Sequence, residues 1–144
     1  MTPSDLGPQG LQDPYTLFST LVQVGGKVLI TSEEHRAHLS RLGYGIETHG
    51  KDLRMMGGAV ESLDAIWWTR ANESYSIEDA FRIFQSLFRA LKPKQGILAV
   101  SFLKSSADHP WKNRTVMTLL RQTGFLLFHT LENPEEHLYF CQRL

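Results

Sequence analysis

The chain has 144 residues, of which 42% are hydrophobic and 21% are charged, and these values are typical of a single globular domain. Its 15 Lys and Arg balance its 15 Asp and Glu, so no net charge attracts nucleic acid or an anionic membrane. One cysteine excludes an internal disulfide. There is no signal pattern and no apolar run near roughly 18 residues, so we expect a cytoplasmic protein.

The first third of the chain contains an arm, a helix and a strand. Residues 1–12 hold two prolines and two glycines, which predicts a flexible arm and a domain spanning 13–144. Asp13-Pro14 is a helix start, because Asp caps free amides and Pro suits the first helical position. Gly25-Gly26 is expected to end this helix, and residues 27–30 to form a central strand.

The stretch 63–102 organises the chain. Two apolar runs, 65–68 and 97–102, flank a segment that places apolar side chains at helical spacing: Ala80, Ile83, Phe84, Leu87, Phe88 and Leu91. Strands buried on both faces and joined by a helix predict a parallel βαβ unit. In such sheets ligands bind at the carboxyl ends of the strands, so we expect the site in the loop after Trp68.

The last third predicts a helix and a hairpin. Residues 115–123 carry apolar side chains at helical spacing. Two strands, 125–131 and 137–142, are separated by the turn-rich segment 132–136. We therefore expect an antiparallel hairpin at one end of the sheet.

Four segments carry a resemblance to a known family. They are Leu-Asp-Ala-Ile-Trp at 63–67, Arg-Ala-Leu-Lys-Pro at 89–93, Gly-Ile-Leu-Ala-Val at 96–100 and Leu-Leu-Arg-Gln-Thr-Gly-Phe at 119–125. In this order they resemble the middle and end of class I S-adenosylmethionine-dependent methyltransferases. The resemblance implies an α/β Rossmann-like methyltransferase sheet, mostly parallel, with a C-terminal antiparallel hairpin. It also implies that the loops after Trp68 and at 105–113 shape a substrate pocket.

The chain departs from that family after its first strand. The family's strand runs into an acid and a glycine-rich turn, which lets the backbone approach the cofactor. Here Ile30 stands at the acid position, and no glycine follows until Gly43. Residues 31–34, Thr-Ser-Glu-Glu, instead predict a capping box with Thr31 as the cap and Glu34 reaching back. Such a turn uses the free amides and places carboxylates where the cofactor's own carboxylate would lie.

The N-terminal half is also shorter than the family pattern. Only one strand, 44–48, fits between Gly43 and Asp52. We therefore expect that one β-α unit is missing and that the N-terminal half of the sheet is reduced. A sheet edge left open in this way invites pairing with another chain, so a homodimer or a protein partner is expected.

Two functions follow from these patterns. The first is a pseudoenzyme, a methyltransferase-like domain that has lost orthodox S-adenosylmethionine binding and acts as a binding or interaction module. The second is an active, divergent S-adenosylmethionine-dependent methyltransferase that modifies a small molecule. For the second, the residues predicted to bind the cofactor are Thr31, Ser32, Asp52, Trp68 and Thr69. Asp52 matches the family's acid near the adenine amino group, and no catalytic residue is identified.

Other chemically capable residues have simpler interpretations. His35 and His38 lie three positions apart on a predicted helix, but no third donor stands at a metal-binding spacing. Cys141 lies in a predicted strand and is expected to be a buried, inert thiol. Asp64 precedes its strand and is expected to have a structural role at the opposite edge. Basic residues do not alternate with exposed aromatic ones, so a nucleic-acid surface is not predicted.

Overall fold

The computed structural model describes residues 13–48, 53, 61–104 and 111–144. The predicted arm of residues 1–12 lies outside them. The helices are α1 (Pro14–Leu21), α2 (Arg36–Arg41), α3 (Ala71–Ser74), α4 (Ile77–Ala90) and α5 (Asn113–Thr123). The strands are β1 (Lys27–Ile30), β2 (Gly45–Thr48), β3 (Ala65–Trp68), β4 (Ile97–Leu103), β5 (Phe125–Glu132) and β6 (Glu136–Arg143). Within these residues, no helix is long and apolar enough to cross a membrane.

The six strands form one mixed sheet in the order β2-β1-β3-β4-β6-β5. The first four are parallel, and β4 pairs antiparallel with β6, which pairs antiparallel with β5. This arrangement confirms the predicted βαβ unit, the C-terminal hairpin and the Rossmann-like architecture. Among the described residues β2 is the outermost strand on its side, in agreement with the expected reduction of the N-terminal half.

Helices cover both faces of the sheet, which gives three layers. Alternation along β3 sends Ile66 and Trp68 to the face covered by α4 and α5, and Ala65 and Trp67 to the face of α1 and α2. On the first face Trp68 packs edge-on against Phe84, with ring centroids 5.6 Å apart. Both tryptophans are 2% exposed, so each contributes fully to one half of the core.

Capping groups hold the ends of the elements. Asp13 caps α1 as predicted, and its carboxylate accepts a hydrogen bond of 3.0 Å from the backbone amide of Tyr15. The helix ends at Leu21, before the glycines expected to stop it, because Val22 is already extended and buried. The Asp64 carboxylate accepts from the backbone amide of Lys27 at 2.8 Å, which agrees with the structural role expected for this residue.

Arg143, at the end of β6, closes the carboxyl end of α4. Its guanidinium donates hydrogen bonds of 2.9 and 2.6 Å to the carbonyls of Phe88 and Leu91, and it lies 4.3 Å from the centre of the Phe88 ring. A cation at this position satisfies carbonyls that the helix leaves free, and it interacts favourably with the negative end of the helix dipole. The hairpin is thereby fastened to the central βαβ unit.

Candidate functional site

The carboxyl ends of β1 and β3 are joined by hydrogen bonds of Thr31. Its backbone amide donates to the carbonyl of Trp67 at 3.2 Å, and its hydroxyl accepts from the backbone amide of Thr69 at 2.9 Å. The side chain thus extends the parallel ladder by one step beyond the last paired residues. The hydroxyl that was expected to bind a cofactor is used within the sheet.

The turn after β1 is capped one residue later than predicted. Ser32, not Thr31, is the cap, and its hydroxyl accepts from the backbone amide of Glu34 at 3.4 Å. A single-turn 3-10 helix, Glu33–His35, then leads into α2. The Glu34 carboxylate does not reach back to the backbone as a capping box requires, because it accepts from the Ser32 hydroxyl at 3.2 Å and pairs with Arg70 at 2.8 Å.

His35 fills the space between this turn and β3. Its Nδ1 atom lies 2.7 Å from the Tyr15 hydroxyl and its Nε2 atom 3.1 Å from the Thr69 hydroxyl. The imidazole ring also stacks on Trp67, with centroids 4.3 Å apart and planes inclined by 22°. Burial lowers the pKa of His35, and the nearby Glu34 carboxylate only partly opposes this effect. The neutral ring therefore links α1, the first turn and β3.

The rings of His35 and His38 both pack against neighbouring aromatic side chains. The ring of His38 stacks on Tyr15, at 3.8 Å between centroids, whereas His35 makes the contacts just described. No cluster of three metal-binding side chains is present in the part of the chain that the structure describes. Cys141 is buried, and burial raises the pKa of its thiol, as expected for an unreactive cysteine.

Arg70 begins α3 in a left-handed conformation, with φ of 46°. A non-glycine residue adopts this conformation at a cost of about 1–2 kcal/mol, which surrounding contacts must offset. Its backbone amide donates to the Ser101 hydroxyl at 2.7 Å. Its guanidinium contacts Glu34 at 2.8 Å, Glu73 at 3.1 Å and Glu136 at 3.8 Å. Three carboxylates therefore surround one cation at the carboxyl edge of the sheet.

These groups border a cavity of about 200 Å³. Its apolar surface comes from α1, β3 and the hairpin, through Pro14, Trp67, Leu131 and Leu138. Its polar surface consists of Glu34, His35, Thr69, Arg70, Ser101, Glu132, Asn133 and Glu136. The cavity lies where the sequence places the site, at the carboxyl ends of β3 and β4.

The predicted cofactor residues are distributed unevenly around this cavity. Thr69 lines it, while Thr31 and Ser32 make the internal contacts of the first turn. Trp68 lies on the opposite face of the sheet, where its ring packs against Trp111 at 6.1 Å between centroids. Asp52 lies outside the described residues. No observation tests these residues as a cofactor site, and they remain a prediction.

Sequence reasoning missed the residues that dominate the cavity, which are Trp67, His35, Arg70 and Glu136. Alternation along β3 sends Trp67 and Trp68 to opposite faces of the sheet. This alternation indicates that the two tryptophans face different sides of the sheet, but it does not indicate which of them borders a cavity. Arg70 was not noticed, although it directly follows Thr69 in the loop where a ligand was expected.

No protein-family model matches the chain, and no curated protein matches it in sequence. Solved structures do match it. A Burkholderia thailandensis 1,6-didemethyltoxoflavin-N1-methyltransferase, with bound S-adenosylhomocysteine, gives a TM-score of 0.72 at 9% identity and covers 97% of this chain and 82% of its own. A TehB-like S-adenosylmethionine-dependent methyltransferase from Corynebacterium glutamicum gives 0.71 at 13% identity, covering 90% and 86%. The [4+2]-cyclase SpnF gives 0.61 at 12% identity, covering 94% and 81%. The predicted fold is confirmed.

Proposed function

We propose that this chain, which has the class I methyltransferase-like fold, is a binding module that has lost orthodox S-adenosylmethionine binding. The observation that carries the proposal is the position of His35, which stacks on Trp67 and has a hydrogen-bond partner at each ring nitrogen. A nucleoside entering between the ends of β1 and β3 would have to displace this ring and break both contacts.

The charge of the first turn supports the same proposal. Glu33 and Glu34 occupy the first positions after the Ser32 cap, where helix amides in a cofactor cradle bind an anionic group. The hydrogen bond to Arg36 holds the pKa of Glu33 below its ordinary value. Burial opposes ionisation of Glu34, but Arg70 outweighs it and the pKa is lowered. Both side chains are therefore ionised near neutral pH and repel a carboxylate ligand.

The size of the cavity is a third reason. Sites for drug-sized ligands occupy roughly 300–1,000 Å³, whereas this cavity has about 200 Å³. S-adenosylmethionine, which combines an adenosine with an amino acid, is larger than this volume, so it would have to extend beyond the cavity or displace side chains. The position of His35, the charge of the first turn and the cavity volume together support the loss of cofactor binding.

The second candidate is an active, divergent methyltransferase acting on a small molecule. It is favoured by the cavity at the carboxyl edge beside Thr69 and Ser101 and by the fold shared with proteins described as methyltransferases. Fold alone does not decide between the two candidates, since the cyclase SpnF also matches. A measurement of cofactor binding decides between the two candidates.

Calorimetric titration with S-adenosylmethionine and with S-adenosylhomocysteine separates the candidates. We expect no binding heat at millimolar ligand. Heating the purified protein should also release no S-adenosylhomocysteine, as checked by mass spectrometry of the clarified solution. Micromolar affinity for either compound, or stoichiometric release of the product, would overturn the proposal in favour of the enzyme.

We also propose a protein partner or a second copy of the chain at the outer edge of β2. Within the described residues no strand pairs with this edge, and unpaired edges favour strand addition. Light scattering after size-exclusion chromatography tests the homodimer. A mass of one chain at all protein concentrations would exclude self-association, and only a protein partner would then remain.

A further inference from the structure

The charges around Arg70 do not balance. Glu34, Glu73 and Glu136 all contact its guanidinium, so three negative charges share one positive charge. The remaining carboxylate at the cavity, Glu132, is paired with Lys104 at 3.0 Å. Because burial lowers the pKa of His35, this histidine is neutral near pH 7 and adds no positive charge. Among the described residues that line the cavity, the carboxylates of Glu34 and Glu136 therefore share a single cation, Arg70, which leaves an excess of negative charge.

The same cavity has an apolar wall. Trp67, Leu131 and Leu138 line it. Trp67 and Leu131 belong to the core of that face of the sheet, and the partly buried Leu138 packs against this core. Apolar lining with a few convergent charged groups is typical of small-molecule sites. Carboxylates beside a low-dielectric wall attract a cation more strongly than carboxylates surrounded by water.

We propose that this cavity binds a small primary amine with an aromatic or apolar tail. Its ammonium group binds next to Arg70, where it contacts the carboxylates of Glu34 and Glu136, and its tail lies against the apolar wall of the cavity. The volume of about 200 Å³ suits a ligand of about ten non-hydrogen atoms. This inference rests on the proposed function, because it names the ligand class of a module that does not hold S-adenosylmethionine.

The ligand pair tyramine and 4-hydroxyphenylacetate tests this inference. Both carry the same phenol ring, but tyramine has an ammonium group where the other compound has a carboxylate. We expect tyramine to bind with millimolar affinity, the range for ligands of this size, and 4-hydroxyphenylacetate to bind at least about tenfold more weakly. Equal binding of both compounds, preference for the anion, or no tyramine binding up to its solubility would overturn the inference.

The three tryptophans locate the bound amine by NMR. Trp67 lines the cavity, whereas Trp68 and Trp111 lie on the other face of the sheet. Tyramine should therefore shift the indole N–H signal of Trp67, assigned with a Trp67→Phe variant, and leave the other two signals in place. A shift confined to Trp68 or Trp111 would refute the proposed location.

Variants test the charge. Glu136→Gln keeps the side-chain volume and removes one carboxylate, so tyramine affinity should fall several-fold. Glu78→Gln changes an exposed side chain in the first turn of α4 and should have no effect. An unchanged affinity in Glu136→Gln, with a native amide spectrum, would contradict the inference. If neither tyramine nor S-adenosylmethionine binds, the inference fails and the proposed function stands; if S-adenosylmethionine binds, the proposed function fails.

Discussion

Replacing His35 by alanine tests whether this residue closes the space between the first turn and β3. The side chain of His35 is 12% exposed, and its ring connects three elements of the structure through Tyr15, Thr69 and Trp67. Alanine removes all of these contacts and leaves two hydroxyl groups without their partner. We therefore expect a stability loss well above that of an ordinary surface substitution.

The magnitude follows from the contacts. Each hydrogen bond contributes about 0.5–1.5 kcal/mol, and the stacked ring pair adds about 0.5–1.5 kcal/mol. Together with the lost burial of the ring, His35→Ala should lower the free energy of unfolding by about 2–4 kcal/mol. In a chain of 144 residues, this corresponds to a fall of roughly 6–15 °C in melting temperature.

Urea denaturation of four proteins provides the measurement: wild type, Tyr15→Phe, His35→Ala and the double variant. Tyr15→Phe removes only the hydroxyl and should cost about 1 kcal/mol, and the two sites should couple by a similar amount. His129→Ala, at an exposed position on β5, is the control. A loss below about 0.5 kcal/mol for His35→Ala, within the range of surface substitutions, would refute the role assigned to this ring.

Two further predictions concern pH and the hairpin. Burial lowers the pKa of both His35 and His137 below 6.5 in the folded protein, so between the lowered values and 6.5 the unfolded chain binds more protons. The free energy of unfolding from urea titrations should therefore rise with pH across that window, by up to about 1.4 kcal/mol per pH unit for each histidine. His35→Gln should reduce this slope, and an unchanged slope in the variant would contradict the prediction. Arg143→Met removes two hydrogen bonds to the end of α4 and the contact with Phe88. It should lower the free energy of unfolding by about 2–3 kcal/mol in the same assay. A loss under about 0.5 kcal/mol would show that the hairpin is held by other contacts.

The fold could be predicted from the sequence because its main signals are local. Apolar runs at 65–68 and 97–102, with an amphipathic segment between them, specify strands buried on both faces and a connecting helix. The hairpin was likewise indicated by two apolar runs around a turn segment. In the structure these become β3, α4, β4, β5 and β6, with ends within a few residues of those predicted. Local periodicity was sufficient because tertiary packing reinforces it at each of these elements.

The site could be predicted only in position, because its contacts join residues far apart in the chain. The Thr31 hydroxyl accepts from an amide 38 residues away, and no local pattern announces that partner. Because the Thr31 hydroxyl bonds to the residue after β3, Ser32 is the residue that caps the turn. Glu34 pairs with Arg70, a residue with a left-handed backbone whose amide donates a hydrogen bond to Ser101. The prediction of a capping box was wrong for this reason, whereas the lack of a glycine-rich turn is a property of the sequence itself.

The same residues support both proposals, the exclusion of S-adenosylmethionine and the binding of a primary amine. A glycine-rich turn exposes backbone amides, which attract anions, but the turn at 31–35 replaces them with carboxylates and an aromatic ring. His35 occupies the space against Trp67, and Glu34 turns toward Arg70, where it adds to the excess of negative charge beside the cavity. The two proposals, loss of the nucleoside site and preference for an amine, thus rest on the same turn after β1. For that reason Glu34→Gln should weaken tyramine binding without creating affinity for S-adenosylmethionine, because His35 still fills the crevice.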